Sequence, residues 1–237
     1  MRLFIVRHAD PDYPNNTITP AGHLEAQALV PRMVKLAPDR LYSSPLGRAI
    51  HTGEYSAKAL GMTMGVEDWT QEIPGVDIQL ERWGPWGKMV AWDVPGELIR
   101  GQLPLPTYDT WQRQPWYQDN KVIAAFEAIK KSSDSFLARH GYVREGGRYR
   151  IEQANKEKIV IFCHGGFGLT WLAHLLEIPL AMMWSGFWLA PTSVTTILFD
   201  QRSPQWAVPR CIGLCDTSHL YAAGLPVCTH GIKANCE

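Results

Sequence analysis

Leu3-Phe4-Ile5-Val6-Arg7-His8 and Ile159-Val160-Ile161-Phe162-Cys163-His164 are two short, mainly apolar runs that each end on a histidine. Unbroken apolar runs of this length, rich in β-branched residues, read as strands buried on both faces, the kind that builds parallel sheets. In an open α/β sheet, ligands sit in the crevice beyond the carboxyl ends of the strands. Two such strands lying side by side would therefore bring His8 and His164 together. Arg7 precedes the first histidine and Gly165-Gly166 follows the second, which adds a guanidinium and free backbone N–H groups. That combination suits an anion, above all a phosphoryl group.

Outward from these two runs, strand and helix signals alternate. Thr19 as N-cap with Pro20 at the first helical position starts a helix that runs to about Leu36, with Pro31 expected to kink or divide it. Leu41-Tyr42-Ser43 reads as a short strand, and Ser44-Pro45 repeats the helix-start chemistry, which places Arg48 in the first turn of a second helix. An anion is favoured at that end of a helix dipole. Residues 62–66 read as a third strand, 122–139 as a helix, and 142–151 as a hairpin turning on Gly146-Gly147. After the His164 strand come a helix from Phe167 to Ile178 and a strand from Val194 to Phe199. The fold expected is a three-layer α/β/α sandwich around a mainly parallel sheet, within a single domain spanning residues 1–237.

Two stretches depart from this rhythm. Between about residues 75 and 120, Trp83, Trp86, Trp92, Trp111 and Trp116 are interleaved with Pro85, Pro95, Pro104, Pro106 and Pro115. A long irregular insertion of this kind serves either as a lid over a site or as an apolar cover for the sheet, and the lid is the expectation here. The segment from about 205 to 237 holds four of the five cysteines. Cys211, Cys215, Cys228 and His230 are a conceivable zinc set, yet their spacing matches no usual structural-zinc pattern, so no metal is expected.

Lysine plus arginine and aspartate plus glutamate both number 23, which leaves no overall field to draw nucleic acid or an anionic membrane surface. No apolar run is long enough to span a bilayer, and the one between Arg2 and Arg7 is too short for a signal-peptide core, so a cytoplasmic location is expected. Asn15-Asn16-Thr17 is then a glycosylation sequon by chance. The expected partner is a small-molecule phosphate ester, with no cofactor, no nucleic acid and no membrane, and a homodimer is left open.

Three segments, in order, resemble the signatures of the histidine phosphatase (phosphoglycerate mutase-like) superfamily: Phe4-Ile5-Val6-Arg7-His8-Ala9, Ser44-Pro45-Leu46-Gly47-Arg48-Ala49 with Thr52 behind it, and Val160-Ile161-Phe162-Cys163-His164-Gly165-Gly166. Thr19-Pro20-Ala21-Gly22 and Thr192-Ser193-Val194 are also similar to that family, whereas the tryptophan-rich insertion and the cysteine-bearing tail are not general features of it. Ala9 stands where the family usually has glycine. Asn15 stands near the position at which mutase-type members hold a phosphate-binding asparagine. The resemblance implies phosphoryl transfer through a covalent phosphohistidine.

The chemistry assigns roles to the same residues. A phosphate monoester dianion repels an anionic nucleophile, so the neutral imidazole of His8 is suited to attack phosphorus. Arg7, Arg48 and His164 can meet the charge that spreads over the equatorial oxygens, with the Gly165 N–H as a further donor. A carboxylic acid must protonate the leaving oxygen. Glu72 is the candidate, within Thr70-Gln71-Glu72-Ile73, and Glu81 is its rival. Arg82, Lys88, Arg100 and Arg113 offer charge for a second anionic group on the substrate. A phosphomonoesterase is the leading expectation, with a mutase or a non-catalytic phosphate-binding module as alternatives.

Overall fold

A computed structural model describes residues 1–74, 78–80, 87–101, 103–118 and 120–232 of the chain. Glu81, Arg82, Trp83, Trp86 and Cys236 lie outside the described residues.

The elements follow in order as β1 (Arg2–Arg7), β2 (Pro11–Asp12), β3 (Thr17–Ile18), α1 (Pro20–Leu36), β4 (Arg40–Ser43), α2 (Gly47–Leu60) and β5 (Met64–Val66). The insertion holds β6 (Ile78–Gln79), β7 (Lys88–Met89) and α3 (Gly96–Arg100) together with short 3-10 turns. Then come α4 (Asn120–Arg139), β8 (Tyr142–Glu145), β9 (Arg148–Ile151), β10 (Lys158–Cys163), α5 (Gly165–Leu176), α6 (Leu180–Gly186), β11 (Val194–Gln201), β12 (Trp206–Asp216) and α7 (Ser218–Ala222).

Eight strands form the main sheet in the order β5-β4-β10-β1-β11-β12-β9-β8. The half from β5 to β1 is parallel. From β1 to β11 and onward the pairs are antiparallel. The two histidine-bearing strands are direct neighbours, in a register that sets Arg7 against Cys163.

Alternation along these strands divides the core into two layers. Phe4, Val6, Val160 and Phe162 pack with Leu29 and Met33 of α1 and with Ala49 and Ala57 of α2. Leu3, Ile5, Ile159 and Ile161 pack on the other face, with α4, α5 and α6. Side chains two apart on a strand share a face, so each run can be apolar throughout and still feed two helical layers. The molecule is an α/β sandwich of three layers.

Several local expectations are corrected. Helix α1 continues through Pro31, and Thr19 caps it by accepting from the Gly22 N–H at 3.0 Å. Ser44-Pro45 does not start α2, which begins at Gly47 with Leu46 as an N-cap that makes no side-chain bond. The cysteine-bearing segment, for which the sequence offers no strand, holds the long strand β12 with Pro209 inside it. Its pairing tolerates that proline because β12 meets β9 only at Trp206 and Ala207.

Candidate functional site

The parallel register places the site. One residue past the paired strand ends, the His8 N–H donates to the Cys163 carbonyl at 2.8 Å and the Ser44 N–H donates to the Phe162 carbonyl at 2.9 Å. Ser44, His164 and His8 therefore emerge in a row from β4, β10 and β1. The two imidazole centroids are 5.2 Å apart, and both rings are buried.

Each ring is held by one nitrogen. His8 Nδ1 lies 2.7 Å from the Ala9 carbonyl oxygen, which can only accept, so Nδ1 carries the proton and Nε2 keeps its lone pair. His164 Nε2 lies 2.7 Å from Ser44 Oγ. Ser44 Oγ also accepts from the Leu46 N–H at 3.3 Å and has a proton of its own that it can give to His164 Nε2. In that tautomer His164 Nδ1 bears hydrogen, and the atom is buried with no hydrogen-bond partner among the described residues. A buried donor without a partner is costly unless a ligand satisfies it.

Two guanidiniums complete the polar end. Arg7 gives Nη1 to the Leu189 carbonyl at 2.6 Å, and Arg48 gives Nη1 to Asn16 Oδ1 at 3.3 Å. The Nε atoms of both are buried without a partner among the described residues, as a pair awaiting an anion would be. The Arg48 guanidinium also lies over the Tyr13 ring, 5.4 Å from its centroid. Thr52 fixes the loop behind His8 by accepting from the Ala9 N–H at 2.9 Å and donating to the Arg48 carbonyl at 2.7 Å.

These charges set the protonation of the site. Burial first, and the Arg7 charge next, hold His8 well below the ordinary histidine pKa. Burial does the same for His164, reinforced by His8, Arg48 and Arg7. In the free protein both rings are neutral at pH 7, and His8 is ready to donate its lone pair.

Glu72 closes one side of the site at the start of α5. Its Oε1 accepts from the Phe167 N–H at 2.6 Å and the Ile73 N–H at 3.1 Å, while Oε2 accepts only a longer bond, 3.2 Å, from Gly166. Burial raises its pKa against the pull of those three N–H groups. Oε2, the less engaged oxygen, is the natural seat for a proton. A side chain at Gly166 would put its Cβ 2.8 Å from Trp92 and 2.9 Å from Glu72 Oε1, so only glycine allows this approach.

Arg7, Glu72, Gly165 and Gly166 also line a cavity of about 1140 Å³ that opens away from the histidines. Its far wall comes from the insertion, from α6 and from the C-terminal segment, which returns to bring Gly231 beside Arg7. Ile99, Trp111 and Tyr117 join the core, and Trp92 and Val94 face the cavity.

Asn15 lies outside this group. It is exposed, and its side chain donates to Asp12 Oδ2 at 2.8 Å within the turn, so the asparagine that reaches the site is Asn16. The zinc set conceived from the sequence does not assemble either: Cys211 and Cys215 lie on β12, while Cys228 and His230 each approach Asp10 Oδ1 at 3.1 Å. Asp10, Cys228 and His230 are the group among the described residues that could hold a metal ion. They hydrogen-bond to one another beside Tyr13, whose ring edge meets the His230 ring. Sequence reading missed Ser44 as a partner of His164, because Ser-Pro carries a ready local explanation as a helix start.

The parallel strand tips of this sandwich carry two neighbouring imidazoles, and the charges of Arg7 and of Arg48 on α2 act on both rings. The model of the histidine phosphatase superfamily (branch 1) matches residues 3–211, and the chain belongs to that superfamily. Solved structures with the same fold include a mutant phosphoserine phosphatase from Entamoeba histolytica in complex with phosphoserine. That match has 21% identity and a TM-score of 0.60, and covers 92% of this chain and 98% of that one. A mycobacterial glucosyl-3-phosphoglycerate phosphatase with inorganic phosphate matches at 16% identity and a TM-score of 0.62, with the same coverage of 92% and 98%. No match was found among the curated proteins.

Proposed function

We propose that the protein is a metal-independent phosphomonoesterase that works through a phosphohistidine on His8. The observation that carries this reading is the His8 ring, turned by the Ala9 carbonyl so that an unprotonated Nε2 is left beside His164, Arg7 and Arg48.

In the first step the lone pair of His8 Nε2 forms a bond to phosphorus while the ester P–O bond breaks. The proton held on Glu72 Oε2 passes to the leaving oxygen, and the alcohol departs. The guanidiniums and His164 Nδ1–H meet the equatorial oxygens, where charge is spread in the transition state. In the second step the Glu72 carboxylate takes a proton from water as the water oxygen bonds to phosphorus, and the P–N bond breaks. That returns neutral His8, protonated Glu72 and inorganic phosphate.

Hydrolysis is favoured over transfer to a second hydroxyl because Glu72 faces a cavity large enough to admit water. The non-metal reading is supported by the donors at the site, since Arg7 Nε, Arg48 Nε and His164 Nδ1 are buried without partners among the described residues and can meet the phosphoryl charge. The test is phosphate release from simple monoesters by the wild-type protein and by His8→Ala, each in excess EDTA, with product examined for isomerisation. Release that survives EDTA and is lost in His8→Ala supports the proposal. Loss on chelation, restored by added metal, would point to a metallophosphatase using the Asp10 group, and an isomerised product would point to a mutase.

A further inference from the structure

The phosphoryl end says nothing about the alcohol to which the phosphate is joined. That information lies in the cavity beyond Glu72. Because Glu72 must reach the leaving oxygen, the alcohol has to extend from the carboxyl into this space. The identity of the wall is therefore the identity of the leaving group's surroundings.

The wall is mainly apolar. Met89, Trp92, Val94, Leu169, Trp184 and Phe187 contribute most of it, drawn from the insertion, α5 and α6. Phe187 is 39% exposed, which is a substantial aromatic surface to leave facing solvent next to two tryptophans. Two neutral hydrogen-bonding atoms in the wall, Ser185 Oγ and Trp188 Nε1, are buried without partners among the described residues. Both are suited to a hydroxyl, carbonyl or ether oxygen rather than to a full charge.

Cations are scarce in the same wall. Arg7 is the sole cationic residue among the described lining residues, and it belongs to the phosphoryl end. Of the residues that the sequence offers for a second anionic group, Arg82 lies outside the described residues, while Lys88, Arg100 and Arg113 are exposed and are not among the described lining residues, the Arg100 guanidinium packing against Gly186. Among the described lining residues, a leaving group bearing its own carboxylate or phosphate would meet mainly apolar side chains as it surrenders its hydration.

We infer that the substrate's leaving group is an uncharged, ring-bearing, mainly apolar alcohol, seated between the Trp92 side of the insertion and the Phe187 side of α6. This rests on the phosphomonoesterase reading and narrows it. Amino-acid and sugar-acid phosphates, which place an anion two or three bonds from the ester oxygen, are poor fits to this wall.

The experiment compares alkyl esters of similar leaving-group basicity, so that binding rather than chemistry sets the order: 2-(1-naphthyl)ethyl phosphate, ethyl phosphate, O-phosphoserine and 3-phosphoglycerate. The expected kcat/KM for the naphthylethyl ester exceeds those for phosphoserine and phosphoglycerate by about a hundredfold or more. In Phe187→Ala the ratio of naphthylethyl to ethyl ester falls by about tenfold. In Phe187→Arg, at the same half-exposed position, the ratio of phosphoglycerate to naphthylethyl ester rises by a similar factor. Phosphoserine or phosphoglycerate turned over as well as the naphthylethyl ester would overturn the inference.

Calorimetric titration with 2-(1-naphthyl)ethanol separates the pocket from turnover. Saturable binding that weakens in Phe187→Ala supports the inference even if no ester is hydrolysed, an outcome that would sink the phosphatase reading alone. Turnover of ethyl phosphate with no binding of naphthylethanol, and no preference for its ester, would leave the phosphatase reading standing and remove this one.

Discussion

The phosphoryl end and the cavity wall of this protein meet at Glu72 and are built by different means. The phosphoryl end stands on the tips of three adjacent parallel strands, where backbone register alone lines up Ser44, His164 and His8. The wall is gathered from the insertion, α5, α6 and a returning C-terminal segment, which no single register aligns. On the proposed function, chemistry that must hold atoms to a fraction of an ångström would sit on the rigid sheet, and the choice of alcohol on segments freer to vary. A substitution at the strand tips should therefore slow every ester alike, and one in the wall should change the order among esters.

The sharpest break between the two regions is His8→Ala, which should lower turnover by about 10⁴-fold or more for every ester, because no other side chain offers a lone pair there. A steady-state assay across the ester series checks it, and retention of wild-type rate on even one ester would remove His8 from the nucleophile's role. Next is Arg48→Lys, expected to cost about 10² to 10³-fold. The retained charge cannot restore two forked donors, and an unchanged rate would show that Arg48 acts only as a point charge.

Glu72→Gln keeps an amide oxygen to accept the Phe167 and Ile73 N–H bonds that cap α5, yet it removes the proton. Alkyl esters should slow by about a hundredfold or more, and nitrophenyl phosphate much less, since its leaving group needs no acid. Equal loss on both would move the acid role away from Glu72. A larger loss in Glu81→Gln would transfer that role to the rival carboxylate.

The pH dependence is a smaller effect with a definite sign. His8 must be unprotonated to attack, and its pKa lies well below the ordinary value. The acid limb of kcat/KM should accordingly fall below about pH 6.5, the value of an unperturbed histidine. Stability follows the same groups. The unfolded chain takes up protons near pH 6.5, whereas folded His8 and His164 resist them, and His219 is held to about 4 by burial. Through these rings the unfolded state binds more protons as pH falls, while Glu25, raised to about 7 by burial, and Glu72, also raised by burial, take up protons in the folded state and offset part of the loss. In Glu25→Gln, which removes most of that offset, thermal unfolding should shift to lower temperature between about pH 6.5 and 4.5, and an unfolding temperature that rises there would contradict the neutral rings.

Legibility in the sequence divides along the same boundary. The histidine-bearing strands were readable because an apolar run ending on a polar residue is a local pattern, and the adjacency of β1 and β10 carries both histidines to one edge. Arg48 was readable for the same reason, one helical turn past a strand. The wall was not, because Trp92, Phe187 and Gly231 lie far apart in the chain and converge only through tertiary packing. Ser44 reads as a helix start in the sequence, although it bonds to His164, and the sequence points to Asn15 where its neighbour Asn16 reaches Arg48. Residues one position apart in an irregular turn point in unrelated directions, and no periodicity records which of them faces inward.

The central claim is tested most directly by rapid-quench labelling with an ester carrying radioactive phosphate. The account predicts a phosphoprotein, stable to base and labile to acid, that maps to the peptide containing His8 and is absent in His8→Ala. Label that persists in His8→Ala, or that maps to another residue, would contradict it.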